Sequence, residues 1–185
     1  MERTIMKIKN GEIAEIYEYE DSFIVGKILH STKDYLYIHN VSTDGTFQGY
    51  ALIALKKVNK ILYNTKYLTF FNKVLKNNLD SCKTVFEKPY DLIKECFSNN
   101  HYVRVSKFMW GTYVEDLKIT SIHDEYFTGR RINNYGELKK EISIKYTDIS
   151  YLLFGTDLLR NYYIFNESSD QKECLAFYKR NVLFS

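Results

Sequence analysis

The sequence predicts a mainly β protein of the α+β class, built from two tandem five-stranded small barrels with connecting and C-terminal helices. One observation behind this prediction is a series of short β-rich runs separated by turn residues. A second is an internal alignment, because residues 26–75 match residues 117–166 at a constant offset of 91 without gaps. We therefore expect a first barrel with a helix in residues 1–83, and a helix, the second barrel and a last helix in residues 84–185.

The first copy contains five runs that favour strands. Val, Ile, Tyr, Phe and Leu are frequent in them, and polar turn residues separate them. One turn ends in Asp44-Gly45, a pair typical of tight hairpins. The predicted strands cover residues 11–19, 23–30, 35–41, 48–55 and 58–63.

The second copy repeats this pattern. Its turn at residues 133–136 ends in Gly136, which aligns with Gly45 of the first copy. Five short antiparallel strands in about 55 residues are enough for a small, strongly bent barrel. The predicted strands cover residues 102–108, 117–122, 126–132, 140–146 and 149–154.

The spacing of apolar residues changes between the copies and near the C-terminus. Residues 66–80 have apolar side chains at helical intervals. Pro89 suits the first turn of a second helix, with Leu92, Ile93, Cys96 and Phe97 on one buried face. A third helix is predicted for residues 169–180. We expect these helices to cover barrel ends or to join the copies.

Cysteine content and hydropathy predict a cytoplasmic chain that does not contact a membrane. The cysteines are odd in number, three in all, and fit no disulfide framework. Residues 1–6 lack the apolar segment of a secretory signal. The longest apolar run, residues 50–55, is far shorter than the ~20 residues that cross a bilayer.

Positive charge is concentrated in the first copy. Residues 26–83 carry nine lysines and three aspartates, whereas residues 1–25 carry three positive and six negative charges. Such a segment attracts an anionic partner, although a solvated face gives the same pattern. The hypothesis of a surface for RNA, single-stranded DNA or an acidic partner rests on five lysines and two tyrosines: Lys27, Lys56, Lys57, Lys60, Lys66, Tyr35 and Tyr37.

The order of motifs in residues 52–68 has a likeness to a known group. An apolar strand follows the Asp-Gly turn, and then come Val58, Ile61 and the segment Thr65-Lys66-Tyr67-Leu68. This order resembles Sm-like small barrels, and in particular uncharacterised bacterial proteins with tandem Sm-like repeats. The resemblance implies a fold and no activity. The RNA-gripping Arg-Gly pair of Sm proteins has no counterpart in either copy.

The sequence predicts no catalytic residue, no cofactor and no metal site. Its four histidines lack metal-ligand spacing, and its glycines form no phosphate-binding loop. If the protein were an enzyme, the acidic pairs Glu115-Asp116 and Asp124-Glu125, with His39 or His123, would be the remaining candidates.

The first functional hypothesis is therefore a non-enzymatic interaction module. We expect a protein-binding adaptor or inhibitor, of which an immunity or anti-defence protein of a mobile element is one form. Trp110 is either an interface anchor or a core residue packed under its turn. Binding of RNA or single-stranded DNA is the alternative, and an uncharacterised enzyme is the second alternative. For the oligomeric state we expect a monomer or a homodimer.

Overall fold

The computed structural model describes residues 7–42, 45–74, 84–108 and 114–167. It contains 46% strand and 22% helix, which confirms the predicted mainly β class. Ten strands form one antiparallel sheet: β1 (Ile13–Tyr17), β2 (Phe23–Ser31), β3 (Tyr35–Val41), β4 (Phe47–Ala54), β5 (Lys60–Leu62), β6 (Tyr102–Ser106), β7 (Val114–Ile122), β8 (Tyr126–Ile132), β9 (Leu138–Lys145) and β10 (Tyr151–Phe154). The other elements are α1 (Lys66–Val74), α2 (Pro89–Ser98), α3 (Asp157–Glu167), a first 3-10 turn (Leu55–Lys57) and a second 3-10 turn (Tyr146–Asp148).

The predicted helices are found where the structure describes them. α1 and α2 begin at the predicted residues, Lys66 and Pro89. Phe97 departs from the predicted buried face of α2, since it is 43% exposed. The predicted helix over residues 169–180 lies outside the described residues, and α3 was not predicted. No helix of the described ranges is long and apolar enough to cross a membrane.

The sheet has the strand order β5-β1-β2-β3-β4-β10-β6-β7-β8-β9. The first half of the chain supplies β1 to β5, and the second half supplies its five strands in the corresponding order. β4 and β10 join the halves, with Leu52 opposite Leu152. Across the described residues the sheet stays open, so the two closed barrels of the prediction are not observed. The reason is that β4 pairs with the other half instead of closing its own.

Irregular backbone features recur at the offset of 91 residues. The register shifts after Ile28 in β2 and after Ile119 in β7. The turns after β3 and β8 each contain a glycine at positive φ, Gly45 and Gly136. Because bulges bend strands at fixed positions, the two halves bend at equivalent points.

One buried contact is filled in opposite ways in the two halves. Gly26 on β2 lies against Ile38 on β3, and a Cβ added at Gly26 would be 2.7 Å from the Ile38 Cδ1. At the equivalent place Leu117 lies against Gly129, where an added Cβ would be 3.3 Å from the Leu117 Cβ. A large side chain on one strand thus faces a glycine on its neighbour, because a closely packed interior holds only one of them.

Each half has its own buried cluster, and β10 contributes to both. Leu153 packs in the cluster of the first half, whereas Leu152 packs in that of the second half, since successive side chains of a strand point to opposite faces. α2 covers the second cluster with Ile93 and Cys96. Burial raises the pKa of the Cys96 thiol, which identifies this cysteine as a core residue. The halves therefore share packing as well as strand pairing.

Candidate functional site

The β2–β3 turn and the β7–β8 turn lie at the end of the sheet that also carries the two 3-10 turns. In the first half, the Leu55 amide donates to the Asp34 carbonyl at 2.8 Å. In the second half, the Tyr146 amide donates to the Glu125 carbonyl at 3.1 Å. We call this end of the molecule the loop end.

The loop end contains a cavity of about 510 Å³. Its walls come from the β2–β3 turn, the start of α2, the β7–β8 turn and the second 3-10 turn. We name it the tyrosine pocket after its three tyrosines, and its lining residues are Thr32, Lys33, Asp34, Tyr35, Glu87, Lys88, Pro89, Tyr90, Asp124, Tyr146 and Thr147. Because both halves of the chain contribute walls, the pocket depends on the joint between β4 and β10.

Tyr35 is placed in the pocket by the β2–β3 turn. The Thr32 hydroxyl oxygen accepts hydrogen bonds from the amides of Asp34, at 3.2 Å, and Tyr35, at 3.0 Å. The Thr32 amide donates to the Tyr35 carbonyl at 2.9 Å. These bonds fix the first residue of β3. Burial and then the neighbouring Asp34 carboxylate raise the pKa of Tyr35.

Tyr90 enters the pocket from the first turn of α2. Pro89 starts this helix, since proline at the first position loses no intrahelical hydrogen bond. The preceding Lys88 makes no side-chain capping hydrogen bond. The Tyr90 ring contacts the Tyr146 ring edge-on, with the ring centroids 5.5 Å apart.

Tyr146 is the most buried of the three tyrosines. Its ring stacks on Phe127 in the core of the second half, with the ring centroids 6.0 Å apart. Its hydroxyl is buried and has no hydrogen-bond partner among the described residues. The pKa of Tyr146 is raised to about 12. Burial is the largest cause, and the nearby Tyr90 and Asp124 side chains add to it.

We expect the protein to lose stability in alkaline solution. Burial and the hydrogen bond to Glu15 raise the pKa of Tyr17 to about 12, and Tyr146 has a similar value. An unfolded tyrosine titrates near pH ~10, so the unfolded chain loses these protons first and stability falls as the pH rises from about 10 to 12. Urea midpoints at pH 8, 10 and 11 measure this loss. Tyr17→Phe should flatten the profile, whereas an identical slope in the variant would contradict the assignment.

The rim of the pocket carries both signs of charge. The Lys33 ammonium lies 4.0 Å from the Asp34 carboxylate, and its side chain is 90% exposed. The Glu87 carboxylate lies 4.0 Å from the His30 imidazole. Exposed pairs of this kind contribute little to stability, so these groups remain available to a ligand.

The five lysines of the nucleic-acid hypothesis lie on four elements, and only Lys56 and Lys57 share one, the first 3-10 turn. Lys56 donates to the Thr147 carbonyl at 3.0 Å, across the two halves. Lys57 lies over the Phe108 ring and Lys60 over the Tyr17 ring, with Nζ 4.9 and 4.3 Å from the ring centroids. The remaining two are Lys27, half-buried on β2, and Lys66, exposed at the start of α1. Lys27, Lys56, Lys57 and Lys60 therefore all interact within the protein.

Of the two tyrosines in that hypothesis, Tyr37 is placed differently from the prediction. It is 1% exposed, because Tyr50 stacks on one side and Phe86 contacts it edge-on, at centroid distances of 6.0 and 5.6 Å. A buried ring cannot stack on a nucleic-acid base, so the proposed role of Tyr37 is wrong. Trp110, the predicted interface anchor, lies outside the described residues.

The residues considered for catalysis are mostly engaged in structure. His39 is buried against Phe47, with ring centroids 4.1 Å apart. The Glu115 carboxylate lies 2.7 Å from the Arg131 guanidinium. Asp124 is the member of the acidic pairs that lines the tyrosine pocket. In the part of the chain that the structure describes, no group of three or more His, Cys, Asp or Glu residues could hold a metal ion.

A second cavity, of about 830 Å³, lies between the halves on the other side of the joint. β2, β3, β6 and β10 line this groove, and Arg104 and Tyr151 are among its side chains. The Arg104 guanidinium forms two hydrogen bonds with the Asp116 carboxylate, at 2.7 and 2.9 Å. These groups are therefore occupied with each other, which leaves the tyrosine pocket as the better candidate for a ligand.

Comparisons with known proteins add no relative to this description. No family model matches the chain. No curated protein and no solved structure matches it either.

Proposed function

We propose that this protein is a non-enzymatic interaction module that holds a segment of a partner protein in the tyrosine pocket. The observation that carries the proposal is a cavity lined by three tyrosines and built from both halves and α2. Tyrosine is enriched among the residues that dominate protein–protein binding energy, since its ring buries a large area at a small entropic cost. An adaptor or an inhibitor would use such a pocket in the same way.

The architecture supports a binding role for the region around the joint between β4 and β10. We propose that each half is an Sm-like small-barrel repeat, left open where β4 pairs with β10, and that the two repeats are fused edge to edge through these strands. The equivalent strand order of the halves supports this view. The odd number of cysteines in the sequence, three, supports a cytoplasmic setting for the partner.

A protein partner is favoured over RNA or single-stranded DNA. Nucleic-acid binding needs a continuous line of cations along the phosphate backbone. Here Lys56, Lys57 and Lys60 already contact a carbonyl or an aromatic ring. The rim of the pocket also includes carboxylates, which would repel phosphate.

The proposal predicts that one side chain in the pocket controls capture of the partner. Tyr90→Ala should weaken binding about 30-fold, the effect of losing a central interface tyrosine worth ~2 kcal/mol. The assay is recovery of a discrete protein from nuclease-treated native lysate by the tagged protein, followed by titration of the purified partner. Thr147→Arg, at an exposed lining position, should also block binding without touching the core.

Tyr135→Ala is the matched control, because Tyr135 is 82% exposed and lies at the other end of β8. It should bind like the unchanged protein. Equal retention of the partner by Tyr90→Ala, Thr147→Arg and Tyr135→Ala would rule out the pocket. Captured material that disappears after nuclease treatment would instead support the nucleic-acid alternative.

A further inference from the structure

We propose that the tyrosine pocket recognises a cationic side chain, the ammonium of a lysine or the guanidinium of an arginine presented by the partner. This inference rests on the proposed function and names the chemistry of its ligand. Aromatic rings attract cations placed over their faces, and the attraction is strongest where water is excluded.

The rings supply the first part of the argument. Tyr35, Tyr90 and Tyr146 line one cavity from three separate elements. The Tyr90 and Tyr146 rings meet at an interplanar angle of 78°, so they contact each other edge to face. A volume of about 510 Å³ admits the end of a long side chain and part of its backbone.

The charges nearest to these rings supply the second part. Asp34, Glu87 and Asp124 are the acidic residues of the lining, and the Asp34 and Glu87 side chains are exposed at its rim. The same carboxylates act on the tyrosines, since Asp34 helps to raise the pKa of Tyr35 and Asp124 helps to raise that of Tyr146. A pocket whose aromatic groups feel nearby negative charge favours a positive ligand.

The Tyr146 hydroxyl supplies the third part. It is buried and has no hydrogen-bond partner among the described residues, although a buried polar group normally has one. It lies beside Tyr90 and Asp124, which both line the pocket. Its oxygen can accept an N–H from an ammonium or a guanidinium, so a cation would satisfy a group that the free protein leaves unsatisfied.

Two features of the pocket would instead favour an anion. The start of α2 carries partial positive charge and exposed amides, and Lys33 and Lys88 also contribute to the lining. Three carboxylates oppose these two ammonium groups, and Lys33 extends into solvent beside Asp34. The balance of charge therefore favours a cation, and binding of an anion is an outcome that the experiment below distinguishes.

The test adds small-molecule probes to the 185-residue chain labelled with ¹⁵N. N-acetyl-arginine amide and N-acetyl-lysine amide should shift the amide signals of residues 32–35, 87–90, 124 and 146–147 in a saturable manner. N-acetyl-citrulline amide, which has nearly the shape of the arginine probe without its charge, should shift them at least about fivefold less at equal concentration. Equal shifts by citrulline, or saturable shifts by inorganic phosphate instead, would overturn the proposal.

Two variants test the carboxylate and the hydroxyl. Asp124→Asn should weaken binding of the arginine probe about threefold, while Asp21→Asn, an exposed carboxylate on the β1–β2 turn, should not. Tyr146→Phe should weaken binding without lowering Tm, because the hydroxyl has no partner to lose in the free protein. Unchanged affinity in Asp124→Asn and Tyr146→Phe would contradict the cation site.

Failure of this inference can be told apart from failure of the proposed function. If the partner protein is lost from Tyr90→Ala but bound normally by Asp124→Asn, the pocket binds protein through something other than a cation. If Tyr90→Ala retains the partner while the arginine probe still binds the pocket, the pocket binds a cation but is not the partner's interface.

Discussion

Gly49→Ala is expected to destabilise the protein by about 3 kcal/mol or more. Gly49 lies in β4 with φ +83°, a conformation that costs an L-residue ~1–2 kcal/mol. An added Cβ would also lie 2.2 Å from the Phe154 carbonyl oxygen and 3.1 Å from the Gly155 carbonyl carbon. These are backbone atoms of the last residue of β10 and of the residue after it, so relief of the clash requires the end of β10 to move away from β4.

Gly11→Ala is the matched control for backbone conformation. Gly11 has φ +86°, and an added Cβ there would meet nothing within 4 Å. Its expected cost is therefore the conformational part alone, ~1–2 kcal/mol. Urea unfolding followed by circular dichroism gives both values. Equal losses in the two variants would mean that the joint between the halves tolerates a side chain and is looser than its geometry indicates.

The strands could be predicted from sequence because each one is a local pattern. Alternation and turn residues lie within a few positions of each other, and all ten predicted strands are present with small shifts at their ends. The pairing of β4 with β10 was not predicted, since Leu52 and Leu152 are far apart in sequence. The sequence nevertheless contained a signal for this pairing. β4 is apolar on both faces, as expected of a strand inside a sheet, whereas β9 includes Lys139 and Lys140, as edge strands often do.

The sequence also contained a signal for α3, the helix that was not predicted. Thr65 aligns with Thr156 at the offset of 91 residues, and each threonine hydroxyl accepts a hydrogen bond from an amide three residues later, Leu68 and Leu159 respectively, at 3.1 Å in both cases. A threonine at this position typically begins a helix. The alignment already pairs residues 66–75 with 157–166, so transferring the helix prediction of the first copy to the second would have predicted α3.

The site was predicted only in part, because it assembles residues that no local pattern connects. Tyr35 was named from the sequence, but Tyr90 and Tyr146 come from α2 and from a turn in the other half. The role given to Tyr37 was wrong because an outer strand face was assumed to be open. The segment before α2 covers that face with Phe86, and segment placement of this kind is a tertiary property.

The second large effect is expected at the ion pair beside the groove. Asp116 has a side chain only 10% exposed, and Arg104 forms two short hydrogen bonds with its carboxylate. These bonds, opposed by burial, raise the pKa of the Arg104 guanidinium, so it is charged at every pH at which the protein folds. Arg104→Met leaves a nearly buried carboxylate without a counter-ion, and we expect a loss of about 2–3 kcal/mol.

Two further variants separate the contribution of the ion pair from the cost of leaving a buried charge without a partner. Asp116→Asn should cost less, about 1 kcal/mol, because the Arg104 side chain is 32% exposed and its charge can reach water. The double variant Arg104→Met/Asp116→Asn should be more stable than Arg104→Met alone, since it removes the uncompensated charge. A double-mutant cycle from urea unfolding gives the coupling energy between the two residues. A coupling energy near zero would show that water screens the pair and that strand pairing and packing alone hold β6 against β7 at this point.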